Sequence, residues 1–402
     1  MTAQDGTVRL RRRIGFWLLT LYGVGVMIGA GIYVLVGAVA GAAGMDAPWA
    51  FLLAGLVAAP TAISYAELSS RIPESAGEAA YVAAATGLRA PAIAVGMLIA
   101  AVGVVSSAAI LQGGVGYLRA ILPLDATLLT VVLLGALTLT AVLGVLESLA
   151  MAALFTLIEV AGLLLVAAAG FWAEPMPDFD PLVLPTGAAL GGMLGAILLA
   201  FFAFIGFEDM VNMAEETRNP RRVMPRAILA ALALTSAIYM LVSLAAVRSV
   251  PIEALAGSSR PLALVIDAAW PGLVWLLSGI AVFAALNGIL AQIVMASRVL
   301  YGLGARHGGV AAFARLHPRF GTPVIATLFV AALVLVLTLT LPLAALAEVT
   351  SSILLVVFVG MNLALIALRR RGEAPPDAFR APGWMPWLGA GLSALTLLAS
   401  QG

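Results

Sequence analysis

Residues 23 to 32 read GVGVMIGAGI, a glycine-dense run inside the first strongly apolar segment, about 14 to 41. A membrane helix is expected to break there, over Met27 to Gly31, because backbone unwound at bilayer depth persists only where it lines a cavity or is buried in protein. Such a break creates two helix ends. The outer half offers free N–H groups and a positive dipole end near Ala30, Gly31 and Ile32, suited to a carboxylate. The inner half offers carbonyls near Met27 and Ile28, suited to an ammonium. The chemistry this implies is main-chain recognition of a zwitterion. Taken alone, the glycines read more readily as close helix packing of the Gly-x-x-x-Gly kind.

Two further places carry ionisable groups where the surroundings are apolar. In FFAFIGFEDMVNMAEE, Glu208 and Asp209 follow Gly206 almost at once. Two acids at membrane depth need a cavity or partners. If the chain unwinds at Ala203 to Gly206, they begin the inner half of that helix, where a carboxylate at an N-terminus is favoured. Proton sensing is the functional alternative for Glu208, and Asp209 is the less certain member. Glu159 lies twelve residues after Glu147, about 18 Å along a helix and so near the bilayer centre. Charged and alone it would cost about 3 kcal/mol there. It is expected to be partnered or protonated.

The elements that must hold these groups follow from composition. Of 402 residues 63% are hydrophobic and only 10% charged, with mean hydropathy +1.10. An all-α polytopic membrane protein is the class this implies. Apolar stretches long enough to cross lie near 14–41, 48–70, 91–120, 126–144 and 148–172, then 187–214, 225–247, 270–303, 323–341 and 343–368, with a shorter last piece at 386–402;. That is about eleven spans. The arginines before the first span imitate a signal peptide, but the apolar run is too long and cleavage is not expected.

All 21 basic residues are arginine. With a cytoplasmic N-terminus, only Arg119, Arg248 and Arg260 fall outside, as the positive-inside rule requires. With no cysteine and a formal net charge of +1, neither thiolate metal ligation nor nucleic-acid binding is expected. No metal, cofactor or enzymatic constellation is expected: there is no His-Glu-x-x-His, no phosphate loop with its lysine and no cysteine nucleophile. His307 and His317 read as solvated cytoplasmic residues.

The two glycine-interrupted spans are the first and the sixth, an offset of five, an odd number, so the halves insert in opposite senses. Interrupted helices in corresponding positions of inverted halves are the sequence pointer to a midplane transporter site. The motifs MIGAGIYVLVG, YAELSSRIPESAGEAAYV, FFAFIGFEDMVNMAEETRNPRRVMPRAI, NGILAQIVMASRVLYGLGARHG and AEVTSSILLVVFVGMNLALIALRR together resemble the amino acid–polyamine–organocation (APC) superfamily of amino acid permeases.

That resemblance implies a LeuT-type fold of five plus five inverted helices. Residues 1–13 would be a cytoplasmic arm, 14–172 the first repeat, 173–186 an extracellular loop, 187–370 the second repeat and 371–402 a loop with an extra helix 11. It implies a substrate carboxylate on Gly29, Ala30 and Gly31, with the amino group on carbonyls of Ile28, Phe202, Ala203 and Ile205, beside Met27. Phe202 and Phe204 would wall or gate the pocket, with Phe207 a weaker candidate. Some related permeases have a lysine in the pattern TLIEV, in place of the sodium of sodium-coupled members. This chain has no lysine. Glu159 is therefore expected to be the protonatable or cation-binding group, facing Gly25 to Ile28 and Asn287 of the eighth span. Secondary transport of an amino acid across the cytoplasmic membrane, with proton symport, is the function implied. Exchange, sodium coupling and a non-transporting amino acid sensor are the alternatives.

Overall fold

A computed structural model describes residues 12–29, 31–73, 77–144, 149–177, 179, 190–307, 312–372 and 374–399. Ala30, the arm up to Arg11, Glu147 and the connection 180–189 lie outside the described residues. The first apolar segment is two helices, α1 (Phe16–Ile28) and α2 (Gly31–Ala43). A 3-10 turn leads into α3 (Ala47–Arg71), then a short α4 (Gly77–Thr86), α5 (Arg89–Ile121), α6 (Ala126–Leu143) and α7 (Leu149–Trp172). The sixth apolar segment is again divided, into α8 (Leu190–Phe202) and a 3-10 helix over Glu208–Glu216. After it come α9 (Pro220–Ser249), short α10 (Ile252–Ala256) and α11 (Pro261–Ala269), then α12 (Val274–His307), α13 (Val324–Thr340), α14 (Leu343–Arg370) and α15 (Met385–Ala399).

Among the described residues, seven stretches are long and apolar enough to cross a membrane, and four apolar helices are shorter. Three of the shorter four differ from simple spans in instructive ways. α1 and α8 are each 13 residues, about 20 Å of helix, so neither crosses without the segment that follows it. α15 is 15 residues, about 22 Å against a hydrocarbon core of about 30 Å. The chain is helical where its residues allow and broken where glycine and acid intervene. Local punctuation is ordinary: Asp125 accepts from the Leu128 N–H at 2.9 Å to cap α6, and Gly144 closes that helix with φ 73°;.

Packing divides the helices into two groups. α3 runs along α9 and α8, α1 along α9 and α7, and α2 along α8, while α5 packs on α12, α13 and α14. A buried polar clamp ties α3 to α14. Asn362 donates to Thr61 Oγ1 (2.8 Å) and accepts from Ser64 Oγ (2.6 Å), next to Pro60 inside α3. Satisfied side-chain hydrogen bonds of this kind hold apolar helices together where the hydrophobic effect cannot.

The ends of the bundle sort the arginines. Arg13 and Ile14 N–H groups donate to the Glu216 carbonyl, and Arg218 N–H donates to that of Ile14. Arg221 pairs with Asp377, and Arg369 and Arg71 with Glu67, at the same end. At the other end, Arg248 donates to the carbonyls of Gly170 and Ala173, at the close of α7.

Candidate functional site

The first break is narrower than Met27 to Gly31. α1 continues through Ile28 because the Gly29 N–H still donates to the Gly25 carbonyl at 3.1 Å, and the chain departs only at Gly29, with φ 20° and ψ −147°. α2 begins at Gly31, so its N-terminal end abuts the break. A helix start carries N–H groups without intrahelical partners and a positive dipole end, and a helix end carries carbonyls.

The second break spans five residues. α8 stops at Phe202; Ala203, Phe204 and Ile205 N–H groups reach back three residues to Ala200, Phe201 and Phe202 carbonyls, and the 3-10 helix starts at Glu208. Gly206, at φ 126°, turns the chain. A side chain there would be strained by conformation and blocked by space, since its Cβ would lie 2.6 Å from Val26 Cγ1 and 3.1 Å from the Met27 nitrogen;. The second break thus packs on the last turn of α1, and Ala203 approaches the start of α2, 3.1 Å from where a Cβ at Gly31 would lie. Glu208 opens the 3-10 helix without capping it, and its Oε2 accepts the N–H of Gly206, two residues earlier, at 2.9 Å. The carboxylate satisfies a donor released by the unwinding.

A cavity of about 90 Å³ opens beside the breaks, several times the 10–15 Å³ or so that one water needs on that measure;. Its wall takes Tyr22, Gly25, Val26 and Met27 from α1, Gly29 from the first break, Gly31 from α2, Phe202 from the end of α8 and Ile205 from the second break. Across it stand Ala152 and Thr156 of α7, Ile110 of α5, and Asn287, Gly288, Ala291 and Gln292 of α12. Six of the residues singled out by sequence meet here: Met27, Gly29, Gly31, Phe202, Ile205 and Asn287. Ala30 lies outside the described residues.

Others go elsewhere. Ile28, Ala203 and Phe204 are buried but do not line the cavity. Phe204 turns toward α3 and α9, stacking edge-on against Tyr239 at 5.2 Å and abutting Gly55. Phe202 and Phe204 point in different directions, and Phe202 alone of the pair walls this cavity. Phe207 packs with Tyr65 and Phe358. Glu159 is fully buried on α7. The face of α7 that meets Gly25 and shares a wall with Asn287 is formed one turn earlier by Thr156, whose Oγ1 fills the space a side chain at Gly25 would need.

Sequence reasoning missed Tyr239. Its hydroxyl lies 2.6 Å from the Met27 carbonyl oxygen and 2.8 Å from that of Ala203, one proton shared between both broken helices. The Tyr33 hydroxyl donates to the Glu159 carbonyl at 2.9 Å. Tyr117 then donates to the Tyr33 carbonyl (2.7 Å) and accepts from the Leu262 N–H of α11 (3.3 Å). Helical spacing could have found Tyr22, which shares one face of α1 with Gly25, Val26 and Gly29, and Gln292, which shares one of α12 with Gly288.

Residues 14–401 match the family model described as amino acid permease. The branched-chain amino acid permease BcaP of Bacillus subtilis is 30% identical over 95% of this chain and 86% of that protein. An uncharacterized transporter of Mycobacterium tuberculosis is 34% identical over 82% of this chain and 74% of its own length. The vacuolar cationic amino acid transporter 4 of Arabidopsis thaliana is 29% identical over 93% of this chain and 65% of its own.

Proposed function

The chain belongs to the amino acid permease family of the APC superfamily, and from that membership we propose that it is a secondary transporter moving an amino acid across the cytoplasmic membrane by alternating access. The observation that carries this reading is the meeting of two helix breaks at one cavity. The start of α2 supplies N–H groups for a carboxylate, and the end of α1 supplies carbonyls for an ammonium;. A free amino acid carries both groups. Discontinuous helices in two halves of opposite sense, residues 14–172 and 187–370, belong to a LeuT-type arrangement of five plus five helices, with α15 as the extra eleventh.

Substrate class is approached from the wall. Phe202 and Ile205 make one side apolar, which favours a neutral or apolar side chain, as the branched-chain name of the Bacillus subtilis relative suggests. Proton symport is the coupling we propose, with Glu159 as the group that takes the proton. It is buried in α7, one helical turn from Thr156 of the cavity wall. Alternating access would rock α1, α2, α3, α8 and α9 against the group built on α5, with the N-terminus on the cytoplasmic side, where most arginines gather.

The test is uptake of a radiolabelled amino acid panel into proteoliposomes under an imposed proton gradient, a sodium gradient, or neither. Accumulation of a neutral amino acid driven by protons alone is expected. Sodium dependence would move the coupling to a metal cation, and gradient-independent exchange would make the protein an antiporter. Binding with no movement of any amino acid would leave a sensor and end the transport reading.

A further inference from the structure

α3 and α14 are joined along a line of polar side chains inside otherwise apolar helices. Thr61, Ser64 and Glu67 recur every three residues on α3, and Asn362 and Arg369 stand seven apart on α14, so the members of each set lie on adjoining turns of one side;. Asn362 holds Thr61 and Ser64, and two turns further on both Nε and Nη2 of Arg369 donate to the Glu67 carboxylate. Beyond α14 the chain turns back under this end. In residues 374–384 the Phe379 N–H donates to Ser70 Oγ at 2.8 Å and the Ala381 N–H to Glu67 Oε2 at 2.7 Å, while Asp377 pairs with Arg221 of α9. Ser70 Oγ in turn donates to the Arg221 carbonyl at 3.0 Å, so α3, α9 and the returning chain meet at one point.

Two features set this seam apart from the walls of the cavity. Its polar groups are wholly buried and bonded to one another: Thr61, Ser64, Glu67, Ser70 and Asn362 are each 0% exposed. Parting the helices would leave a carboxylate and an amide in apolar surroundings without partners. The cavity, for its part, takes no residue from α3 or α14, so widening or narrowing it does not require the seam to part. Beside the cavity, where the 3-10 helix faces α12, a polar contact is long, with Gln292 Nε2 3.5 Å from Asp209 Oδ2;. α14 packs on α5 as well as on α3, and so stands between the two groups of helices.

We propose that the seam between α3 and α14, with residues 374–384 strapped across its cytoplasmic end, is the fixed joint of the transport cycle. It stays closed in every state, and the group containing α1, α3, α8 and α9 turns about it against the group built on α5. This deepens the transport reading and rests on it for the motion itself.

Because the chain has no cysteine, full-length protein can be spin-labelled at chosen pairs. Labels at Arg222→Cys of α9 and Arg370→Cys of α14 report across the joint, and labels at Arg222→Cys and Arg89→Cys of α5 report across the moving boundary; all three arginines are exposed. Distances are measured by pulsed electron resonance in nanodiscs, without amino acid and with leucine or lysine. On ligand addition the α9–α5 distance is expected to shift by about 2 Å or more while the α9–α14 distance holds within about 1 Å. In a second arm Arg221→Cys/Asp377→Cys, at two partly exposed positions, is bridged by a bifunctional methanethiosulfonate. Uptake of radiolabelled leucine or lysine into proteoliposomes should then stay within about twofold of that seen after reductant removes the bridge. An α9–α14 distance that shifts as far as the α9–α5 distance would overturn the joint, as would a bridge that cuts uptake about tenfold until it is reduced. Uptake with neither distance changing would overturn it too, since the moving boundary would then lie elsewhere. Protein in which both distances stay fixed and no amino acid moves would keep the seam closed and remove the transport reading.

Discussion

The Tyr239 hydroxyl donates across 2.6 Å to the carbonyl oxygen of Met27, with the Ala203 carbonyl 2.8 Å away on its other side. One side chain from α9 thus bonds to the backbone of both interrupted helices, at the carbonyl end of each outgoing turn. Removing only the oxygen, in Tyr239→Phe, leaves two buried carbonyls without that donor, a loss of about 1–3 kcal/mol. The expected outcome is a folded protein whose initial uptake rate in proteoliposomes falls at least tenfold. Uptake equal to wild type would show that the tyrosine only packs.

Gly206 is the position with least tolerance. Its φ of 126° and the 2.6 Å approach of Val26 Cγ1 exclude any Cβ, and backbone strain of this kind costs about 1–3 kcal/mol before the collision is counted. Gly206→Ala is expected to lower the melting temperature in detergent and abolish uptake. Gly195, where nothing lies within 4 Å of an added Cβ, is the control and should accept alanine.

Glu159→Gln tests the proposed coupling. A glutamine keeps the shape of the side chain and cannot take up a proton, so accumulation driven by a proton gradient should fall at least tenfold, while counterflow exchange persists. Measured across pH 5 to 8, uptake by the variant should be flat. A variant with the wild-type pH profile and rate would take Glu159 out of the coupling.

The cytoplasmic-end ion pair makes a prediction about stability. Glu67 is fully buried, accepts from Arg71 Nε at 2.8 Å, from both Nε and Nη2 of Arg369, and from the Ala381 N–H at 2.7 Å. It therefore joins α3, the end of α14 and the strand of chain leading to α15. Glu67→Ala leaves two guanidiniums around an emptied acceptor, which should cost about 3–5 kcal/mol. Thermal melting should record the loss. Because the chain has no cysteine, a single cysteine introduced at Leu368 should also react faster with maleimide in the Glu67→Ala background.

Outside the spanning helices, burial pushes the Glu78 carboxyl up to about 7, and the charge of Asp209 adds to it. A carboxyl with a folded pKa above its unfolded value binds more protons when folded. Its contribution to stability is therefore retained below the unfolded value, near 4.5, and lost as pH rises through about 7;. Melting temperature should decline between those limits in the wild type, by an amount on the order of 1–3 kcal/mol of stability. In Glu78→Gln the decline should be shallower, and an unchanged slope would assign it to other groups.

The broken helices were legible because their cause is local. Glycines in apolar runs and two acids directly after Gly206 cannot continue a lipid-facing helix, whatever surrounds them, and the arginine distribution orders the segments between. Met27, Gly29 and Gly31 could be named from the glycine run, and Phe202, Ile205 and Asn287 through the family resemblance. Residues whose role depends on direction could not. Phe202 and Phe204 are two apart in a turn and face different partners. Glu159 and Thr156 are one helical turn apart, and only packing decides which of them meets Gly25. Tyr239 sits in SAIYML, an unremarkable apolar stretch, and acquires its role from two carbonyls 212 and 36 residues away. The sequence by itself determined where the backbone must leave helical geometry, since that is set by residue type within a few positions. Only the tertiary structure decided which polar groups share the resulting gap, because side-chain direction and helix-to-helix register are fixed by the contacts of the whole bundle.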